Sequence, residues 1–170
     1  MCTFTTISFM VPLAISNAIA VKVGFANGAE NIKDLKRYSF VGIVMCVGFM
    51  LCSACVFATF PHFLVRLFTQ DNMLVKISVP ILYVLAVFQV FDGLQVALAG
   101  IFKGMKRTGI VLLSNFIAYW LIALPLGYTL AFKYQLNIRG FWFGLVAAAM
   151  MLCSIMLTML FKSIKKLENC

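Results

Sequence analysis

The sequence predicts an all-α fold: a polytopic membrane helix bundle with five transmembrane helices in a single membrane domain. Three observations predict it. Of the 170 residues, 64% are hydrophobic and 11% charged, with a mean hydropathy of +1.04; a soluble domain is nearer half apolar and a quarter charged. Five apolar runs recur along the chain, each of about the 20 residues that a hydrocarbon core of roughly 30 Å requires. The basic residues lie mostly between those runs.

The runs are residues 4–25, 40–60, 77–102, 110–132 and 141–161. The first opens with Thr3, Thr5, Thr6 and Ser8, which suit a cavity or a helix contact better than lipid. Pro12 predicts a bend, because proline removes one backbone hydrogen bond and crowds the preceding turn. Asn17 and Lys22 occupy the later half, and Lys22 is close enough to the end to reach water. No basic start followed by a small-residue cleavage site is present. GFANGAENIKDLKRYS then reads as a polar loop or short surface helix. The second run offers Gly42 and Gly48 as small contact residues, and Pro61–His62 closes it. LVRLFTQDN forms a short amphipathic connection, with Asp71 in it. The fourth run carries Asn115, Tyr119 and Trp120 early and Pro125 as a kink; the tail KSIKKLENC is polar.

The third run holds the residue that spanning a bilayer does not call for. Asp92 lies deep in it, with Gln89 three residues before and Gln95 three after. A charge at that depth costs about 2.5–3.5 kcal/mol on insertion scales, so an intramembrane acid marks a functional site by default. Here that site is one for a proton or a cation. The alternative is a protonated carboxyl that ties two helices together. Burial favours the protonated carboxyl and a nearby cation the ionised one, so one acid can trade a proton for a cation. Asn115 and Tyr119, four residues apart, share one helix face and can reach the same cavity; interhelical hydrogen bonding is the competing role.

Other chemistries are not supported. Cys52 and Cys55 form a CxxC inside an apolar run without a redox context, and the six cysteines read as small apolar residues. The lone His62 makes no metal site. No nucleophile–base pair, metal spacing or phosphate loop points to an enzyme, and no resident cofactor is implied. The net charge of +9 suggests orientation in a bilayer, not nucleic acid. Lys22, Lys33, Lys36, Arg37, Lys103, Lys106, Arg107, Lys162, Lys165 and Lys166 share one side; Arg66, Lys76, Lys133 and Arg139 share the other. The positive-inside rule then puts the larger group in the cytoplasm, with the N-terminus outside and the C-terminus cytoplasmic.

Four motifs, in order and on successive runs, carry a family resemblance. They are MVPLAISNAIAVKVGFANGAE around Pro12, Lys22 and Gly24; FQVFDGLQVALAGIFKGMKRTG with Gln89, Asp92, Gly100 and Gly104; NFIAYWLIALPLGY with Asn115, Tyr119 and Pro125; and RGFWFG with Trp142 and Gly144. Together they resemble the multidrug and toxic compound extrusion (MATE) family over nearly the whole chain. The resemblance implies twelve spans in two lobes, of which this chain corresponds to the last five, a partial second lobe. It implies export of small organic cations, xenobiotics among them, in exchange for protons or sodium ions across a cell membrane, such as a bacterial inner membrane. Asp92 and Gln89 are then the cation-coupling residues. Gln95, Asn115, Tyr119, Pro12 and Asn17 are candidates for the cavity lining. The partners implied are the lipid bilayer, the organic cation and, for a split transporter, a first-lobe chain. Two other readings stay open: a non-transporting membrane remnant or split subunit, and a flippase for a lipid-linked sugar, whose cavity would carry several basic residues.

Overall fold

A computed structural model describes residues 2–61, 65, 72–129 and 137–168. Helix α1 is Cys2–Gly28, α2 Ile32–Thr59, α3 Asn72–Gly104, α4 Thr108–Phe116, α5 Leu124–Tyr128 and α6 Asn137–Glu168. A π-helical stretch, Ile117–Ala123, joins α4 to α5 without leaving right-handed helical backbone. No strand occurs among the described residues. Five stretches are long and apolar enough to cross a membrane: Phe9–Gly28, Ile32–Thr59, Leu82–Gly104, Thr108–Tyr128 and Gly144–Lys165. They match the five spans expected from the sequence. His62, Asp71 and Gln135 lie outside the described residues, as do the side chains of Thr3, Thr5, Thr6, Ser8 and Trp142.

The helices are longer, and the connections shorter, than composition suggested. The segment expected as a polar loop is a turn at 29–31 between two long helices. Its polar residues end one helix and start the next. Glu30 adopts φ 53°, the Asn31 N–H donates to the Ala26 carbonyl at 3.0 Å, and the Glu30 N–H to that of Asn27 at 3.4 Å. This is the Schellman closure, in which a left-handed residue satisfies the last carbonyls of a helix. Asn31 then caps α2: its Oδ1 accepts the Asp34 N–H at 3.2 Å and its Nδ2 donates to the Asp34 carboxylate at 2.8 Å. The same closure ends α3. Lys106 has φ 57°, and the Arg107 N–H donates to the Phe102 carbonyl at 2.9 Å. Likewise the expected polar tail is helical as far as Glu168, because Ser163, Ile164 and Leu167 turn inward against the bundle.

Helix α3 is the centre of the bundle and packs against α1, α2, α4 and α6. Its Ala97, Leu98, Ile101 and Phe102 are fully buried, with Val23 of α1, Cys46 of α2 and Leu152 and Met156 of α6 around them. Small residues permit the close approach. A Cβ on Gly100 would stand 2.5 Å from the Ser16 carbonyl oxygen, and Ser16 Oγ donates to the Val96 carbonyl at 2.8 Å. Glycine therefore lets the two backbones meet, as small residues do at membrane helix interfaces. Gly42 is also a contact, against Ile19, whereas Gly48, expected to be one, has nothing within 4 Å.

The basic segments converge. A cleft at the α1–α2 turn is lined by Asn27, Glu30, Asn31 and, from the end of α6, Leu167. Arg107 in the α3–α4 turn donates to Ser163 Oγ of α6 at 2.9 Å. The two turns and the end of α6, with Lys33, Arg37, Lys103, Lys106 and Lys162, thus lie at one end of the bundle.

A candidate cation site around Asp92

Gln89, Asp92 and Gln95 follow one another at three-residue intervals on α3 and run down the side that meets its neighbours. Gln89 is buried, at 4% exposure, and its Oε1 accepts from Ser53 Oγ of α2 at 3.3 Å. Gln95 faces the other way along the bundle and serves two partners at once. Its Nε2 donates to Asn115 Oδ1 at 3.0 Å, and its Oε1 accepts from the Tyr119 hydroxyl at 3.2 Å. Asn115 and Tyr119 therefore hold one amide between them from the α4 side. Of the two roles considered for the pair, interhelical hydrogen bonding is the one these bonds show.

Asp92 is half-buried between these two amides. No basic side chain pairs with it among the described residues. Its carboxyl is near enough to act electrostatically on the Tyr119 hydroxyl and on the Cys153 thiol of α6. Cys153 is buried and donates to the Phe91 carbonyl at 3.3 Å. Asp92 thus lies near the π-helical stretch and α6.

The π-helical stretch shapes this wall. Proline at 125 lacks an N–H and crowds the carbonyl four residues earlier. The turn ahead of it is wide: the Leu124 N–H reaches back to the Tyr119 carbonyl, five residues away. Such wide turns recur at functional sites. Tyr119 lies in this stretch. Pro125 itself is exposed.

The remaining candidates lie elsewhere. Pro12 is fully buried inside an unbroken α1, and its carbonyl accepts from the Cys46 thiol at 3.9 Å. Asn17 is exposed on α1 and takes no part in the hydrogen bonds around Gln95. The structure therefore brings Gln95, Asn115 and Tyr119 together beside Asp92 and sets Gln89 one turn away with Ser53; the hydrogen bonds of this group do not include Pro12 or Asn17. Ser53 and Cys153 were not anticipated. By its sequence Cys153 is a small apolar residue, and nothing local distinguishes it. No cluster of three or more His, Cys, Asp or Glu side chains occurs among the described residues. What the site offers is oxygen: a carboxylate, two amide oxygens and a phenol. Hard cations take such ligands, and a proton needs only the carboxyl.

The sequence profile of the family described as MatE matches residues 1–129. A probable multidrug resistance protein NorM of Mesorhizobium japonicum is 35% identical over 158 residues, covering 90% of this chain and 34% of that protein. The multidrug resistance protein NorM of Burkholderia vietnamiensis is 37% identical over 147 residues, 84% of this chain and 32% of the relative. The chain thus spans about a third of the length of the curated relatives it matches. Among solved structures, the outward-facing conformation of a multidrug resistance MATE family transporter superposes with a TM-score of 0.90 at 19% identity, over 97% of this chain and 37% of that one. The inward-facing conformation of such a transporter gives 0.89, also at 19% identity, over 98% and 39%. At that identity the likeness is one of fold.

Proposed function

Since this chain belongs to the MatE family of membrane transporters, we propose that it forms part of the second lobe of a secondary active antiporter. In this reading the transporter exports small organic cations or drugs in exchange for protons or sodium ions. The observation that carries it is Asp92: a carboxyl in the membrane-spanning part of α3, set among amide and hydroxyl groups and with no basic partner among the described residues. An acid without a fixed counter-charge in a low-dielectric interior needs a mobile one. A proton, a sodium ion or a cationic substrate meets that need, and because each competes for one carboxyl, entry of the ion displaces the drug. Gln95, held by Asn115 and Tyr119, orients the carboxyl from one side, and Gln89 with Ser53 limits it from the other.

The fold supports the alternation that exchange requires. This part of the chain resembles both an outward-facing and an inward-facing relative to nearly the same degree. That is the pattern of a unit that moves largely as a body against another, with the site near the interface of the two. The chain spans about a third of its relatives, so the export activity is proposed for an assembly in which the remaining spans are present, on the same polypeptide or on a partner chain. By the positive-inside rule, the end carrying Lys33, Arg37, Lys103 and Lys106 faces the cytoplasm. A flippase for a lipid-linked sugar fits less well, because no basic side chain borders the Asp92 cluster among the described residues.

The test is reconstitution of the complete two-lobe assembly in proteoliposomes. Extrusion of a fluorescent organic cation such as ethidium should require an opposing proton or sodium gradient. Extrusion that is indifferent to both gradients removes the antiport reading.

A further inference from the structure

A second feature, on the outer side of the α1–α2 contact, has no part in the reading above. Between α1 and α2 runs a shallow groove of about 190 Å³, walled by Ala18, Val41 and Met45 and floored by Ile19 and Gly42, with Lys22 and Tyr38 at one end. Ile19 is 5% exposed because Gly42 makes room for it; a Cβ on Gly42 would stand 2.5 Å from the Ile19 side chain. The floor is therefore closed by packing, and the groove opens outward from the bundle. Both helices are long and apolar enough to cross a membrane over this stretch, so the groove lies along membrane-spanning surface.

Its polar end is placed at a fixed depth. Lys22 lies six residues before the end of α1 at Gly28, and Tyr38 six residues after the start of α2 at Ile32. At 1.5 Å per residue both stand about 9 Å in from the basic end of the bundle. That is the level at which tyrosine and lysine meet lipid headgroups. Lys22 is exposed, and it has no ion pair among the described residues. Arg37, exposed one turn before Val41 on the same stripe of α2, stands above it toward water. No acidic side chain lines the groove. An apolar slot ended by a cation and a phenol, with Arg37 beyond its lining on α2, complements one molecule of its surroundings.

We propose that this groove is a binding site for an anionic phospholipid, with an acyl chain along Ala18, Ile19, Val41 and Met45 and the headgroup phosphate on Lys22, Arg37 and the Tyr38 hydroxyl. The Lys22 ammonium is then compensated by the lipid, which accounts for a cation one and a half turns inside a membrane helix. The inference is independent of Asp92 and of transport. Basic pockets between membrane helices commonly select anionic headgroups.

Native mass spectrometry of the chain with equal amounts of phosphatidylglycerol and phosphatidylcholine of the same acyl composition tests it. The parent should retain the anionic lipid preferentially. Lys22→Gln should cut that preference by about fivefold, the worth of one basic contact near a membrane surface. Ala18→Trp, which fills the slot from an exposed position, should lower retention of the bound lipid while leaving the helical content unchanged. Equal retention of both lipids by the parent, or an undiminished preference in both variants, overturns the proposal. So does loss of the retained lipid once the chain is joined to the remaining spans of its relatives, which would show protein, not lipid, seated in the groove.

Discussion

The Tyr119 hydroxyl donates to Gln95 Oε1 across 3.2 Å, from the π-helical stretch to the central helix. This bond ties the π-helical stretch to the residue three positions beyond Asp92. Removing the hydroxyl in Tyr119→Phe leaves Gln95 held by Asn115 alone. Interhelical hydrogen bonds in membranes average about 0.6 kcal/mol, so the unfolding free energy in detergent should fall by about that amount. A double-mutant cycle with Gln95→Leu should return most of the loss as coupling between the two side chains.

Two glycines on different helices should respond with opposite signs. Gly100→Ala forces a Cβ to within 2.5 Å of the Ser16 carbonyl, which is backbone and cannot swing aside. Overpacking of this kind costs about 1–3 kcal/mol. Gly48→Ala meets nothing within 4 Å and should stabilise α2 by about 0.5–1 kcal/mol through helix propensity alone. Thermal unfolding of the two variants side by side reads both signs.

The turns make a further prediction. Glu30 and Lys106 occupy left-handed conformations at φ 53° and 57°, where a side chain is strained and glycine is at ease. Glu30→Gly and Lys106→Gly should therefore each raise stability by up to about 1 kcal/mol, whereas β-branched Glu30→Val should lower it. Denaturant titration of the three variants against the parent checks the order.

These turns also mark where sequence reading stopped. The spans were legible because hydrocarbon thickness demands long apolar runs, and Asp92 was legible because a carboxyl in such a run has few neutral explanations. Gly42 was readable as a contact because small residues let membrane helices approach, although the same reading failed at Gly48. The segment around Asn27–Asp34 was not readable as two helix ends, since the polar side chains that close and cap helices are those that fill loops. Nor did composition reveal the π-helical stretch: Pro125 announced an irregularity, but the register of its hydrogen bonds depends on packing against α6. Ser53 and Cys153 became visible at the site only when distant helices were laid beside α3, because nothing within their own helices sets them apart.

Topology can be read chemically. In a background with its native cysteines replaced, Asn31→Cys and Gly109→Cys should label from the same side of the membrane, since both adjoin the basic end of the bundle. Gln135→Cys should label from the other side. Labelling of Gln135→Cys together with Asn31→Cys would contradict the five-span arrangement.

The coupling role of Asp92 is the centre of this account, and one substitution addresses it. Asp92→Asn preserves size and hydrogen bonding while removing the exchangeable charge. In the complete two-lobe assembly, reconstituted with an imposed proton or sodium gradient, this variant should fold and insert as the parent does. Its export of the organic cation should fall to the rate seen without a gradient. Glu30→Gln, a charge change at an exposed turn, should export at the parental rate. Export by Asp92→Asn equal to that of the parent under the same gradient would mean that the carboxyl only ties helices together, and would contradict the mechanism.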